Sequence, residues 1–151
     1  MTADSRPFLD KAESRILSYL RDRRDANLYD TIVAIVQSQS GSIYEGIPFE
    51  TSQPLFNFCA ERHALNNMLH SEPGCNQFDC LLVAGPVPDA TDGVITPCGA
   101  CRHALYNLAP DATIYCSNFV REDEGWNMFP SIERYTSADL HPHHQSLPTW
   151  D

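Results

Sequence analysis

The sequence predicts a three-layer α/β/α sandwich around a mixed sheet. Two observations carry this. Short β-branched or aliphatic runs alternate with amphipathic helical stretches in the order α-β-β-α-β-α-β, followed by one weaker strand. The chain has 151 residues, of which 42% are hydrophobic, enough for one core in a single domain spanning 1–151. Residues 1–4 and 143–151 read as flexible tails.

Residues 5–24 form the first expected helix. Ser5 stands at its start and Pro7 in its first turn, while Leu9, Ala12, Ile16 and Leu20 repeat at helical spacing. Its end, Arg21-Asp22-Arg23-Arg24, reads as a solvated terminus, where cations are favoured, rather than as a phosphate site. Thr31–Gln37 is β-branched and reads as a buried strand. Ser40-Gly41 turns the chain, and Ile43–Phe49 is its expected antiparallel partner. Pro54 marks 51–58 as a loop.

Ala60–Leu69 is helical and is stopped by Pro73-Gly74. Phe78–Ala84 is a second buried strand, and Gly85–Thr96 is a Pro/Gly/Asp loop. Gly99–Leu108 is a helix stopped before Pro110, and Ala112–Ser117 a further strand. The polar segment Arg121–Gly125 leads to a short apolar stretch near Met128–Ile132, and the tail from Thr136 is rich in Pro and His.

Charge narrows the function. Ten basic against twenty acidic residues give −10, with an isoelectric point near 4.8. Affinity for phosphate backbones comes from basic side chains displacing counterions, so long nucleic acid is a poor partner. A small neutral or cationic ligand fits better. Mean hydropathy is −0.33, and no run approaches the ~20 apolar residues of a membrane span. The start carries no apolar signal segment. A cytoplasmic protein is therefore expected, in which six cysteines point to metal or catalytic use rather than to disulfides.

Two stretches concentrate that chemistry: Cys59-Ala60-Glu61 and Pro97-Cys98-Gly99-Ala100-Cys101-Arg102. Each lies where a loop enters a helix, and a helix N-terminus offers free N–H groups and partial positive charge that favour thiolate. Brought together, Cys59, Cys98 and Cys101 supply three thiolates and leave the fourth tetrahedral position of a zinc ion open, as in a catalytic site. Glu61, two residues after a ligand and within the first helical turn, lies outside the ligand set and is placed to take a proton from zinc-bound water and pass it on. Three thiolates make zinc a weaker acid, so charge must be withdrawn. Arg102 and the two helix ends are the expected means.

The order C-x-E, then P-C-x-x-C, is the signature of zinc nucleobase deaminases. At these residues the chain resembles the cytidine deaminase family, in its small, all-cysteine, homotetrameric branch, over roughly residues 5–142. The resemblance implies the sandwich fold, Zn²⁺ as cofactor, hydrolytic removal of an amino group from a cytosine nucleoside, and a homotetramer, with a dimer as the smaller alternative. It implies that Arg102 contacts the zinc thiolates, that main chain around Ala60 and Thr96-Pro97 meets the base edge, and that Tyr44–Glu50, including Phe49, is the sugar-binding strand.

The family pattern in that strand is N-x-E. This chain has Pro48 and Glu50 at those positions, so the carboxylate is matched and the asparagine is not. Tyr29 is the nearest match to an aromatic expected early in the first strand. Ala138-Asp139-Leu140-His141-Pro142 resembles the family's E-L-L-P block, with Gln145 where an aromatic follows in many members. The hairpin before that block is longer here by the Arg121–Gly125 region. Blasticidin S deaminases share the zinc motifs and vary in the same strand, so a cationic nucleoside antibiotic stands as a rival substrate.

Plainer readings stand beside these. The three cysteines suit a structural zinc completed by His63 or His103, in a silent assembly module. Glu61 suits a helix start, Glu50 a solvent-facing strand position and Arg102 the surface. Cys75, Cys80 and Cys116 read as small buried residues. His63 and His103 read as helix-face residues, and His141, His143 and His144 as a tail. Phe56 and Phe58 suit either the core or the walls of a pocket for a flat heterocycle.

Overall fold

The computed structural model describes residues 5–141. The expected tails, with His143, His144 and Gln145, lie outside the described residues. The elements are α1 (Arg6–Asp25), β1 (Val33–Ser38), β2 (Ile43–Gly46), α2 (Ala60–Ser71), β3 (Phe78–Pro86), α3 (Gly99–Leu108), β4 (Thr113–Glu122) and β5 (Gly125–Thr136), with a 3-10 turn at Pro54–Phe56. The five strands form one mixed sheet in the order β2-β1-β3-β4-β5. β3 and β4 run parallel, with α3 as their crossover, and the other neighbours are antiparallel.

Alternation along the central strands divides the interior into two cores. Val33, Ile35, Leu82, Ala84 and Tyr115 meet the apolar stripe of α1, built from Phe8, Ala12, Ile16 and Leu20. Ala34, Val36, Leu81, Val83 and Ile114 meet α2 and α3 through Ala64, Leu65, Met68 and Leu105. Each fully buried Leu or Ile contributes about 1.5–3 kcal/mol of transfer free energy. The sandwich is thus three layers, with both motif-bearing helices on one face. Cys80 and Cys116 are buried within it, and burial pushes both thiols up to about 12.

Three elements differ from their sequence expectation. Ser5 precedes α1 without a side-chain capping bond. β2 stops at Gly46 rather than at Phe49, because Pro48 has no N–H for a ladder. Phe49 pairs instead with Phe58 as an isolated antiparallel bridge. The segment read as a short stretch near Met128–Ile132 is a twelve-residue strand, and Arg121–Gly125 is the hairpin joining it to β4. Pro130 hides this strand in the sequence; it is accommodated by a register shift opposite Asn118, where Phe129 takes φ 55°. The Asn118 side chain repairs the gap. Its Oδ1 accepts the Ser131 N–H, and its Nδ2 donates to the Asp92 and Gly93 carbonyls.

Two glycines bring the site's supports close. At Gly46 a Cβ would collide with the α2 main chain at Ala60 and Ala64, so glycine lets the helix lie against the edge strand. At Gly85 a Cβ would stand 2.6 Å from Ile95, so glycine lets the loop leading to Cys98 pack on β3. Among the described residues no helix is long and apolar enough to cross a membrane.

Candidate metal centre and substrate cavity

Cys59 and Cys98 are the residues immediately before α2 and α3, both with extended backbone (ψ 160° and 169°). That geometry turns each chain from loop into helix with its thiol beside the free N–H groups of the first turn. Cys101 sits one turn into α3 and is fully buried. The packing of both helices on one face of the sheet brings the thiols together. Cys59 Sγ and Cys98 Sγ are 3.5 Å apart, and all three sulfurs lie within 4.8 Å of one another. Tetrahedral Zn–S bonds of about 2.3 Å need sulfurs about 3.8 Å apart, so the cluster fits a metal ion with a fourth position left to a non-protein ligand. Among the described residues this ligand cluster comprises the three cysteines alone.

The histidines weighed as a fourth ligand are occupied elsewhere. His63 Nδ1 lies 3.1 Å from the Ile47 N–H and 3.0 Å from the Ile47 carbonyl oxygen. His103 Nε2 pairs with the Asn107 amide at 2.9 Å, and its ring lies against that of His141.

Electrostatics differ among the thiols. Burial raises Cys59, and burial followed by the neighbouring Glu61 raises Cys101. At Cys98 burial also acts upward, but N–H groups of Cys101 and Ala100 and the adjacent thiols bring the net value below the ordinary one. The guanidinium that meets a thiol is that of Arg62, with Nη2 3.9 Å from Cys59 Sγ. Arg102, expected in that role, donates instead to the Pro97 carbonyl at 2.8 Å and the Leu140 carbonyl at 3.3 Å. It braces the turn before Cys98 and ties the Ala138–Leu140 block to α3. Sequence reasoning missed Arg62 because its direction depends on the helix face, although the residue stands directly after Glu61.

Glu61 is 4% exposed, and burial holds its carboxyl above the ordinary range despite the opposing Cys101 hydrogen bond and its own N–H. It lines a cavity of about 320 Å³ together with Cys59, Ala60 and Cys98 at the floor. Ile32, Phe49, Phe58 and Ile95 form apolar walls; Pro48, Glu50, Asn57 and Thr96 complete the lining. Pro97 is buried behind Thr96. The cavity therefore contains Phe49, Glu50, Ala60, Glu61, Thr96 and two of the three expected ligands. Phe58 is one of its walls, whereas Phe56 is 63% exposed and lies outside it; neither is a core residue. Tyr29 is 91% exposed and away from it, and Ile32 stands in the wall instead.

The rim is held by α2. Residues 60, 63, 64 and 67 share a helix face. Asn67 Nδ2 donates to the Glu45 carbonyl at 2.7 Å, Ala60 and Ala64 abut Gly46, and His63 grips Ile47. The same helix thus carries Cys59 and Glu61 and fixes the strand that delivers Pro48–Glu50. The roles of His63 and Asn57 were absent from the sequence reading, since both arise from register rather than from a local motif.

No family model matches the chain. It is 29% identical over 110 residues to a cytidine deaminase from Sporosarcina psychrophila, covering 72% of this chain and 70% of the relative. Its fold is similar to a cytidine deaminase from Burkholderia pseudomallei, with TM-score 0.62, 25% identity and coverage of 77% and 82% of the two chains. A cytidine deaminase from Bacillus anthracis shares the fold at TM-score 0.60 and 16% identity, over 90% and 89%. A mixed five-stranded sheet, three helices and a three-thiol cluster at two helix starts thus agree with these comparisons: the chain has the cytidine deaminase fold and resembles that family in sequence.

Proposed function

We propose that this protein is a zinc-dependent aminohydrolase that converts a free cytosine nucleoside, cytidine, 2'-deoxycytidine or a close analogue, and water into the uracil nucleoside and ammonia. The observation that carries this reading is a buried carboxyl, Glu61, sharing the floor of a flat-walled cavity with a three-thiol cluster that has no fourth protein ligand among the described residues. Cys59, Cys98 and Cys101 would hold Zn²⁺, which when bound would supply Lewis-acid activation of water.

Glu61 accepts one proton of the attacking water and delivers it to ring N3, then carries the remaining proton from the new C4 hydroxyl to the amine, which leaves as ammonia while the C4 carbonyl forms. Its burial suits the acid half of that cycle, since a raised carboxyl holds a proton more readily. The stacked Phe49 and Phe58 rings offer an apolar wall to the flat ring, main chain at Ala60 and Thr96-Pro97 meets its polar edge, and Glu50 meets the sugar. Arg62 draws charge from the thiolates through Cys59. Leu55, 88% exposed beside this rim, suits burial against another subunit of a homotetramer.

Blasticidin S is the second substrate reading, favoured by the donorless Pro48 in the lining and by the charge of −10, which attracts cations. Ammonia release from cytidine, 2'-deoxycytidine and blasticidin S, with and without chelator, tests all of this. Chelator-sensitive release from the cytosine nucleosides is expected. Preference for the antibiotic reverses the substrate order, and silence across the panel leaves a metal-binding assembly module.

A further inference from the structure

Ile32 is a wall of the cavity, yet it stands just outside the sheet that frames it. β1 begins one residue later, where the ladder to β3 opens with Val33 opposite Ala84. Its side chain lies against Gly85 beside Ile95, and the missing Cβ of that glycine leaves room for both wall residues. The place of Ile32 is therefore set partly by the segment that enters the strand.

That segment is gripped from the β4–β5 hairpin, two strands away in the sheet. The Asp30 side chain is only 11% exposed. Its Oδ1 accepts from Arg121 Nη1 at 3.1 Å, and its Oδ2 accepts from Trp126 Nε1 at 3.0 Å. An acceptor-only carboxylate thus meets two donor-only groups, with charge assistance from the guanidinium. Arg121 and Trp126 are partners across the hairpin. The Arg121 guanidinium lies 4.8 Å from the Trp126 ring centroid, and that of Arg24, at the end of α1, lies 5.5 Å from it. One residue before Asp30, Arg23 Nε donates to the Tyr29 carbonyl at 2.7 Å. Asp30, Arg121 and Trp126 are all outside the cavity lining. Only Thr31 separates Asp30 from Ile32, so a shift of one reaches the other within two Cα–Cα steps of about 3.8 Å.

Resting on the nucleoside reading above for what enters the cavity, we propose that Asp30 is a positioning residue: clamped by Arg121 and Trp126, it holds Ile32 against the substrate's ring and sets the width of the cavity at that wall. The hairpin acts on the site through Asp30 without touching the ligand.

The test compares the zinc-loaded parent with Asp30→Ala, Ile32→Ala and the double variant. Asp30→Ala frees the segment and leaves the wall side chain in place. A wall that draws back forfeits burial on the order of one methylene. KM for cytidine is expected to rise, and calorimetric affinity for uridine to fall, by about fourfold, with kcat and metal content near those of the parent. On Ile32→Ala, where the wall is already gone, Asp30→Ala is expected to add little. Arg121→Met is the second variant should Asp30→Ala misfold: a smaller shift of the same kind is expected, and Arg121→Lys, which keeps a cationic donor, should restore it. Amide hydrogen exchange without ligand should quicken at 30–33 alone. Parent-like KM and uridine affinity in the folded variants overturn the clamp. So does an Asp30→Ala effect of equal size with and without the Ile32 side chain, or a fall in kcat that matches the rise in KM. The deaminase reading fails separately, if the parent neither turns over cytidine nor binds uridine. Exchange then decides alone: quickening confined to 30–33 upholds the clamp, and an unchanged pattern overturns it.

Discussion

The floor of the cavity and its rim are held in different ways. At the floor, Cys101 and Glu61 stand on the same buried helix faces that Leu65, Met68 and Leu105 lock onto the sheet. At the rim, residues 48–58 are attached by an isolated bridge, one 3-10 turn and side-chain bonds, and leave Leu55 and Phe56 largely exposed. The floor draws on the rigid core for positional precision, which a metal centre and a proton carrier need. The rim has few buried contacts and is the part free to differ in what it recognises. Perturbing the floor should therefore abolish chemistry, whereas perturbing the rim should change which ligand is bound and how tightly.

The largest effect is expected at the floor. Cys101→Ala removes a ligand from the most buried corner of the cluster, so metal content measured by elemental analysis should fall towards zero, and turnover with it. Full occupancy would show that the ion is held elsewhere. Glu61→Gln keeps the shape and removes the proton carrier. Metal should stay, while turnover falls by about 10²–10⁴ or more. A fast variant with metal bound would sink the assignment of Glu61.

At the rim, Glu50→Ala should act on KM rather than on metal. Loss of a charged hydrogen-bond partner costs about 1.5–3 kcal/mol, or roughly tenfold to more than a hundredfold in KM for a ribonucleoside. Steady-state kinetics on cytidine distinguishes this from a uniform loss of activity. Parent-like KM would return Glu50 to a plain solvent-facing position.

The same division explains what could be read from the sequence. α3 begins and ends where Gly99 and Pro110 place it, and α1 follows the Ala12–Ile16–Leu20 stripe, because helical spacing and breakers are local signals. The thiol cluster is legible for the same reason, since each motif stands at a helix start. Long-range register is not local. β5 runs through Pro130 because Asn118, a dozen residues earlier in the chain, accepts the unmatched Ser131 N–H. Arg62 rather than Arg102 meets a thiol because of the direction each side chain takes from its helix. Asn57 reaches the cavity only because Phe58 pairs with Phe49.

The smallest expected effect lies at the seam between the two regions. His63 stands on α2, two residues after Glu61, yet its Nδ1 lies within hydrogen-bond reach of the N–H and the carbonyl of Ile47, one residue before the rim begins. His63→Leu keeps an apolar body against Phe58, whose ring packs on His63 with centroids 6.3 Å apart. It removes whichever bond the Nδ1 tautomer makes, accepting from the Ile47 N–H or donating to its carbonyl. That bond is worth about 0.5–1.5 kcal/mol, so KM for cytidine should rise several-fold, with a smaller change in kcat and unchanged metal. His63→Gln offers an amide that can accept from the N–H or donate to the carbonyl, and should recover part of the loss. Amide hydrogen exchange gives the independent readout: faster exchange in the leucine variant should be confined to 45–50 and 57–58, with α3 unaffected. Uniformly faster exchange through α2 and α3 would mean that His63 serves the fold as a whole rather than the hold of the catalytic helix on the rim.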